Sequence, residues 1–129
     1  MREIKFRAWL KEERKMVNVE TLFIGINRLC FGNSKTEDLF FRDFEEVELM
    51  QYTGLKDKND KEIYEGDILF FRDENMKYIV VWQDTAFIIK PIEIRKYLEK
   101  MCWLDDTEIC CEIVGNIYEN KKLSEENNW

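Results

Sequence analysis

A chain of 129 residues with a formal net charge of −7 lacks the basic field that proteins binding the phosphate backbone of nucleic acids usually have. Its length predicts one domain or two small lobes, and its 14% aromatic content with a single Pro indicates a packed β-rich fold. Because charged residues follow Met1 directly and no apolar run reaches about 18 residues, we expect a cytoplasmic protein that is neither exported nor membrane-spanning.

The first half of the chain predicts a meander of short strands. Ile4, Phe6 and Ala8 alternate with charged residues, which is typical of a half-buried strand, and a charged turn over 11–15 follows. The segment 35–42 has no pattern that favours one element. Strands are predicted over residues 3–9, 16–19, 21–26, 28–31 and 47–52.

The segment 49–68, LMQYTGLKDKNDKEIYEGDI, has the most distinctive pattern. Apolar residues lead into Gly54, and the charged stretch that follows contains Asn59-Asp60, a polar pair that tolerates left-handed backbone geometry. Gly66 then precedes Asp67 and an apolar run. We therefore predict a strand end, two turns and a new strand within these residues.

The second half predicts four further strands and one helix. The continuous apolar runs over 78–82 and 86–89 favour burial on both faces, as in a small barrel. After Pro91, apolar side chains recur at helical spacing over 93–101, which predicts a short amphipathic helix. Gly115 suggests a bulge, and the polar segment 120–128 is expected to fray. The strands are predicted over residues 67–71, 78–82, 86–89 and 108–118.

Three segments in this chain resemble the YopX family of small bacteriophage and prophage proteins. They are MREIKFRAW (1–9), the segment 49–68 and VGNIYEN (114–120), and they occur in the family's order. One difference is Asn59-Asp60, where the family commonly has Asn-Gly. The resemblance implies a mostly β fold with an SH3-like barrel in the C-terminal portion, and a phage or prophage origin in a bacterial host cell. It implies no catalytic residue.

Together these patterns predict a mostly β fold class: a small SH3-like barrel plus an N-terminal β layer and one short helix. The expected organisation is a single YopX-like unit over 1–129, with an N-terminal β lobe (1–52), a barrel lobe (53–120) and a tail (121–129).

Three acidic residues around one glycine are the strongest candidates for metal or acid–base chemistry. Glu62, Glu65 and Asp67 surround Gly66, and Glu65 and Asp67 could hold magnesium through their oxygens on one strand face. The alternative, which we favour, is that Gly66 adopts a positive-φ turn and Asp67 accepts a hydrogen bond from the local backbone.

Other catalytic and cofactor sites are not indicated. The chain has no His, which excludes Ser-His and Cys-His pairs, and its four Cys contain no Cys-x-x-Cys pair for zinc. Those cysteines are Cys30, Cys102, Cys110 and Cys111, and we expect them to be small apolar fillers in a reducing cytoplasm. We expect no enzyme activity, no cofactor and no metal.

Aromatic and cationic residues near each other could stack bases of single-stranded nucleic acid. The candidates occur in two groups, but their alternation favours core positions, and Trp82 is expected to be a packed anchor. The helix stripe of Ile94 and Leu98 could likewise bind a partner or cover a barrel end. The candidate stacking residues are Phe6, Arg7, Trp9, Phe70, Phe71 and Arg72.

Open strand edges could pair with another copy or with a peptide. The leading hypothesis is therefore a non-enzymatic protein-binding or self-assembling β module whose partner is an unknown phage or host protein. The alternative is a nucleic-acid-binding β-barrel regulator, which the acidic total charge disfavours.

Overall fold

The computed structural model describes residues 3–33, 35–83, 85–92, 102–103 and 110–124. The helix predicted over 93–101, with Ile94 and Leu98, lies outside these residues. The described elements comprise eleven strands, two 3₁₀ turns at Ile24–Ile26 and Phe44–Glu46, and one short helix. They are β1 (Phe6–Leu10), β2 (Lys15–Phe23), β3 (Arg28–Asn33), β4 (Asp38–Asp43), β5 (Val47–Lys56), β6 (Glu62–Tyr64), β7 (Asp67–Phe71), β8 (Met76–Gln83), β9 (Ala86–Pro91), β10 (Cys102–Trp103), β11 (Cys111–Asn116) and α1 (Lys121–Ser124).

The chain forms two compact units, and the first covers Glu3–Gln51. Its strands form an antiparallel sheet in the order β4-β3-β2-β1-β5, so that among the described strands β4 is an edge strand with β3 as its neighbour. The alternation of apolar and polar residues places one set of side chains in a core. Its buried members are Ala8, Leu10, Leu29 and Val47.

The second unit begins at Tyr52. The end of β5 pairs with β6, and a second antiparallel sheet has the order β10-β9-β8-β7-β11. Leu69, Val80 and Ile89, from three neighbouring strands, are at most 1% exposed and lie in the core of this unit. The mostly β fold is confirmed. Among the described strands the pairing does not close into a barrel, so the SH3-like barrel stays a prediction.

The predicted backbone bends occur where the sequence placed them. Gly66 has a φ of 89° and Asp60, of the Asn59-Asp60 pair, has a φ of 64°. Aspartate adopts this left-handed geometry at modest cost, so the turn forms without the family's glycine. A register shift between Ile113 and Gly115 is the bulge that Gly115 predicted.

Three segments differ from the sequence predictions. The unassigned segment 35–42 contributes β4, because pairing with β3 stabilises a strand that its local pattern does not specify. The strand predicted over 21–26 ends at Phe23, and a 3₁₀ turn follows that ends at Asn27 in left-handed geometry. The segment expected to fray from 120 onward begins with α1, whose Leu123 N–H donates to the Asn120 carbonyl.

Candidate functional site

The acidic cluster around Gly66 is a structural turn. Asp67 is 1% exposed, and its Oδ2 accepts a hydrogen bond from the Tyr64 N–H at 2.8 Å. A buried carboxylate that accepts local backbone bonds stabilises the turn, as the favoured interpretation predicted, and is not presented to a ligand. Within the described residues no group of three or more potential ligands could hold a metal ion. The hypothesis of magnesium or acid–base chemistry at Glu65 and Asp67 is therefore not supported.

The predicted base-stacking residues do not form an open platform. Trp9 and Phe71 are buried at 9% and 4% exposure, while Phe6 and Phe70 are half-buried. Trp82 was predicted to be a packed anchor. Its ring does pack edge-on against Phe87, with 4.8 Å between the centroids, but the prediction of a buried side chain was wrong because Trp82 is 51% exposed. It lies one residue before the end of β8.

The β4 edge, which we define as residues Asp38–Asp43, contains the most exposed aromatic pair among the described residues. Phe40 is 53% and Phe41 is 44% exposed. Adjacent residues of a strand point to opposite faces of the sheet, so each face of this edge presents one phenyl ring. Clustered exposed aromatic side chains on an open edge strand are typical of a surface that binds another chain.

Each exposed ring packs on a neighbouring ring, and an arginine lies over one ring of each pair. On one face Phe40 stacks on Phe31, with centroids 5.5 Å apart and planes at 25°, and the Arg42 guanidinium lies 5.5 Å from the Phe31 centroid. On the other face Phe41 lies 6.1 Å from Phe23, and the Arg28 guanidinium lies 5.8 Å from the Phe41 centroid. These contacts fix the rings in place without burying them, so a partner would meet a preformed surface.

A shallow groove of about 190 Å³ lies beside Phe40. Arg42 lines it and forms an ion pair with Glu13, with 2.7 Å between Nη2 and Oε2. The groove therefore combines apolar walls with a charged pair at its margin, which suits a peptide side chain better than a small polar substrate. Its lining residues are Leu10, Glu13, Lys15, Phe31, Phe40 and Arg42.

Hydrogen bonding along β4 shows which backbone groups face away from β3. The Phe44 N–H donates to the Asn27 carbonyl at 2.9 Å, one position beyond the pair Arg28 and Asp43 in the β3–β4 register. Antiparallel strands alternate between hydrogen-bonded and non-bonded pairs. Counting back along β4 from the bonded residue Phe44, the residues Asp43, Phe41 and Leu39 belong to non-bonded pairs. Their backbone N–H and C=O groups consequently point away from β3, to the open side of β4.

Two side-chain contacts agree with this alternation. The Arg42 Nη1 donates to the Phe41 carbonyl at 2.8 Å, and Glu46 Oε1 accepts from the Asp43 N–H at 2.8 Å. Both contacted backbone groups belong to residues whose amide and carbonyl face away from β3. Glu46 thus protects the end of the edge, and the N–H groups of Leu39 and Phe41 are placed to meet an added strand.

Sequence reasoning missed this site. The run LFF over 39–41, bounded by Asp38 and Arg42, was the available signal: consecutive apolar residues between charges in a segment with no assigned element. Its meaning depends on pairing with β3, which the local pattern does not reveal.

The fold and the edge define a class: a small, mostly β protein with two antiparallel units and an aromatic open edge. No described helix is long and apolar enough to cross a membrane. The family model described as YopX protein matches residues 5–125. The chain therefore belongs to the YopX family.

One solved structure has the same fold. The chain is similar to protein EF1440 from Enterococcus faecalis, whose crystal structure aligns with a TM-score of 0.70 at 28% sequence identity. The alignment covers 97% of this chain and 100% of that one. Comparison with curated proteins gives no match.

Proposed function

We propose that this protein is a non-enzymatic binding module that takes up an extended strand along the β4 edge. The carrying observation is the coincidence of two exposed rings, Phe40 and Phe41, with outward backbone groups on the same edge strand. Added strands gain affinity from main-chain hydrogen bonds and specificity from alternate side-chain contacts. In this mode no catalytic residue or cofactor is required.

We also propose a phage or prophage origin and a cytoplasmic location, with a phage protein, a host protein or a second copy as the partner. Family membership supports the origin, and the lack of a long apolar segment supports the location. A nucleic-acid-binding role is disfavoured by the net charge of −7.

Selection from a displayed library of random peptides tests the binding mode. The wild-type chain should enrich extended, apolar-containing peptides. Leu39→Pro should lose them, because proline removes an outward N–H and leaves the bonds to β3 intact. Leu39→Ala is the matched control, since it shortens the same side chain but keeps the N–H, and it should retain most of the binding.

Thermal unfolding of both variants verifies that the sheet survives the substitutions. Amide exchange should then map bound peptides to residues 38–43. Equal enrichment by wild type and Leu39→Pro, or protection elsewhere in the chain, would contradict the proposal.

A further inference from the structure

We infer that the strand accepted by the β4 edge is β4 of a second copy, paired antiparallel about a twofold axis that passes Phe40. The inference rests on the proposed function and names its partner. It follows from three features of the edge: which backbone groups face outward, which registers a twofold axis permits, and how the charges are placed.

Symmetry restricts the possible registers. A twofold axis between two edge strands is perpendicular to the sheet and keeps each side chain on its own face. Facing residues must then lie an even number of positions apart, because alternate residues share a face. The outward backbone groups must also face each other. The register that places Leu39 opposite Phe41 of the copy satisfies both conditions.

Two neighbouring registers also obey the symmetry but fit less well. One places Phe41 opposite itself and Leu39 opposite Asp43, whose N–H is already held by Glu46. The other places Leu39 opposite itself and Phe41 opposite Glu37, which lies in the turn with a φ of 62° and cannot continue a strand.

In the favoured register the side chains are self-complementary. Asp38 of each copy faces Arg42 of the other, which gives two opposite-charge pairs at the ends of the contact. Leu39 faces Phe41 twice, and Phe40 faces Phe40 at the axis. Opposite charges and aromatic pairs directly across antiparallel strands are stabilising, and like charges at those positions are destabilising.

The groups required for this pairing are accessible in the single chain. Asp38 is exposed, and its carboxylate Oδ2 accepts a hydrogen bond from the Thr36 hydroxyl. The Arg42 Nη1 lies on the Phe41 carbonyl and must leave it when the Leu39 N–H of the copy arrives. That carbonyl exchanges one donor for another, and the released Nη1 turns to Asp38 of the copy while Nη2 keeps its ion pair with Glu13.

Charge reversal with analytical ultracentrifugation tests the register. The wild-type chain should show a reversible monomer–dimer equilibrium. Asp38→Arg alone places two arginines opposite each other, and Arg42→Asp alone places two aspartates opposite each other. Each variant should dimerise at least about tenfold more weakly than wild type, since two attractive pairs become repulsive.

Mixing the two variants gives the decisive result. In a mixed dimer the Asp38→Arg chain presents two arginines to two aspartates of the Arg42→Asp chain, so the mixture should form heterodimers with near wild-type affinity. The double variant Asp38→Arg with Arg42→Asp should dimerise by itself. Glu45→Arg, which reverses an exposed charge outside β4, is the matched control and should not weaken the dimer.

The outcomes separate the two proposals. A wild-type chain that stays monomeric at its highest soluble concentration, but still binds peptides in a Leu39-dependent manner, overturns this inference and leaves the proposed function standing. A dimer that is indifferent to both charge reversals also overturns it. If Leu39→Pro changes neither peptide binding nor dimerisation, both proposals fail.

Discussion

At the scale of single residues, Asp57 connects parts of the chain that are far apart in sequence. Its Oδ1 accepts hydrogen bonds from the Asn59 and Lys61 N–H groups at 2.8 and 3.0 Å, and its Oδ2 accepts from the Ile113 N–H at 3.0 Å. One 3% exposed carboxylate therefore closes the turn after β5 and attaches it to β11. The sequence showed an alternating charged turn here, but a contact across 56 positions has no local signature.

Removal of this carboxylate should be costly. Asp57→Ala leaves three backbone N–H groups without their acceptor, and we expect the free energy of unfolding to fall by about 2–3 kcal/mol. Urea denaturation measures this change. Asp60→Asn is the matched control: it also removes one acidic charge from the turn, but its side chain is exposed and asparagine accepts the same left-handed backbone. A loss as large in the control would mean that charge, not hydrogen bonding, is responsible.

The same carboxylate should make stability depend on pH. Burial raises the pKa of Asp57, but the backbone hydrogen bonds from Ile113, Lys61 and Asn59 and the charge of Lys61 together lower it below its ordinary 3.8. Because the folded pKa is the lower one, the unfolded chain binds more protons in the window between the two values. The stabilisation is present above this ordinary value, which applies to the unfolded chain, and is lost as pH falls through the folded pKa.

Denaturation of wild type and Asp57→Asn across this range provides the measurement. The difference in unfolding free energy between them should be constant near neutral pH and should shrink as the solution is acidified below about pH 4. A difference that grows on acidification would contradict the assigned direction.

At the scale of elements, the β3–β4 hairpin depends on one glycine. Gly32 has a φ of 116°, and a Cβ at this position would collide with the Asp38 carbonyl oxygen of the paired strand. Any other residue must therefore push β4 away from β3. The sequence could suggest a bend at Gly32, but it could not identify β4, because its pairing partner determines its conformation.

Substitution of two glycines in this unit separates this effect from general loss of flexibility. Gly32→Ala should destabilise the protein by about 2 kcal/mol or more, through backbone strain and the collision with Asp38. It should also increase amide exchange in β4. Gly25→Ala should change stability by less than about 1 kcal/mol, since a Cβ there meets nothing within 4 Å. A loss of stability in Gly32→Ala as small as that in Gly25→Ala would show that the hairpin tolerates a displaced β4.

At the scale of the whole molecule, the sequence predicted more of the fold than of the site. Apolar runs located β7, β8 and β9, whose members Leu69, Val80 and Ile89 are core residues. Family motifs predicted the mostly β class. The binding edge was not predictable, because in the sequence Phe40 and Phe41 cannot be distinguished from phenylalanines of the core. Their exposure follows from their place at the end of the strand order, which is a tertiary property.

Total charge provides the last prediction, because it distinguishes a protein-binding module from a nucleic-acid-binding one. With a net charge of −7, the chain should repel a phosphate backbone, and two of the rings that could stack on bases, Trp9 and Phe71, are buried. Fluorescence anisotropy with labelled single-stranded oligonucleotides should show no saturable binding at physiological salt. Arg72→Glu, which removes an exposed cation next to β7, should behave like wild type. Binding that weakens steeply with added salt, and further in Arg72→Glu, would instead favour the nucleic-acid function, since each phosphate contact releases counterions.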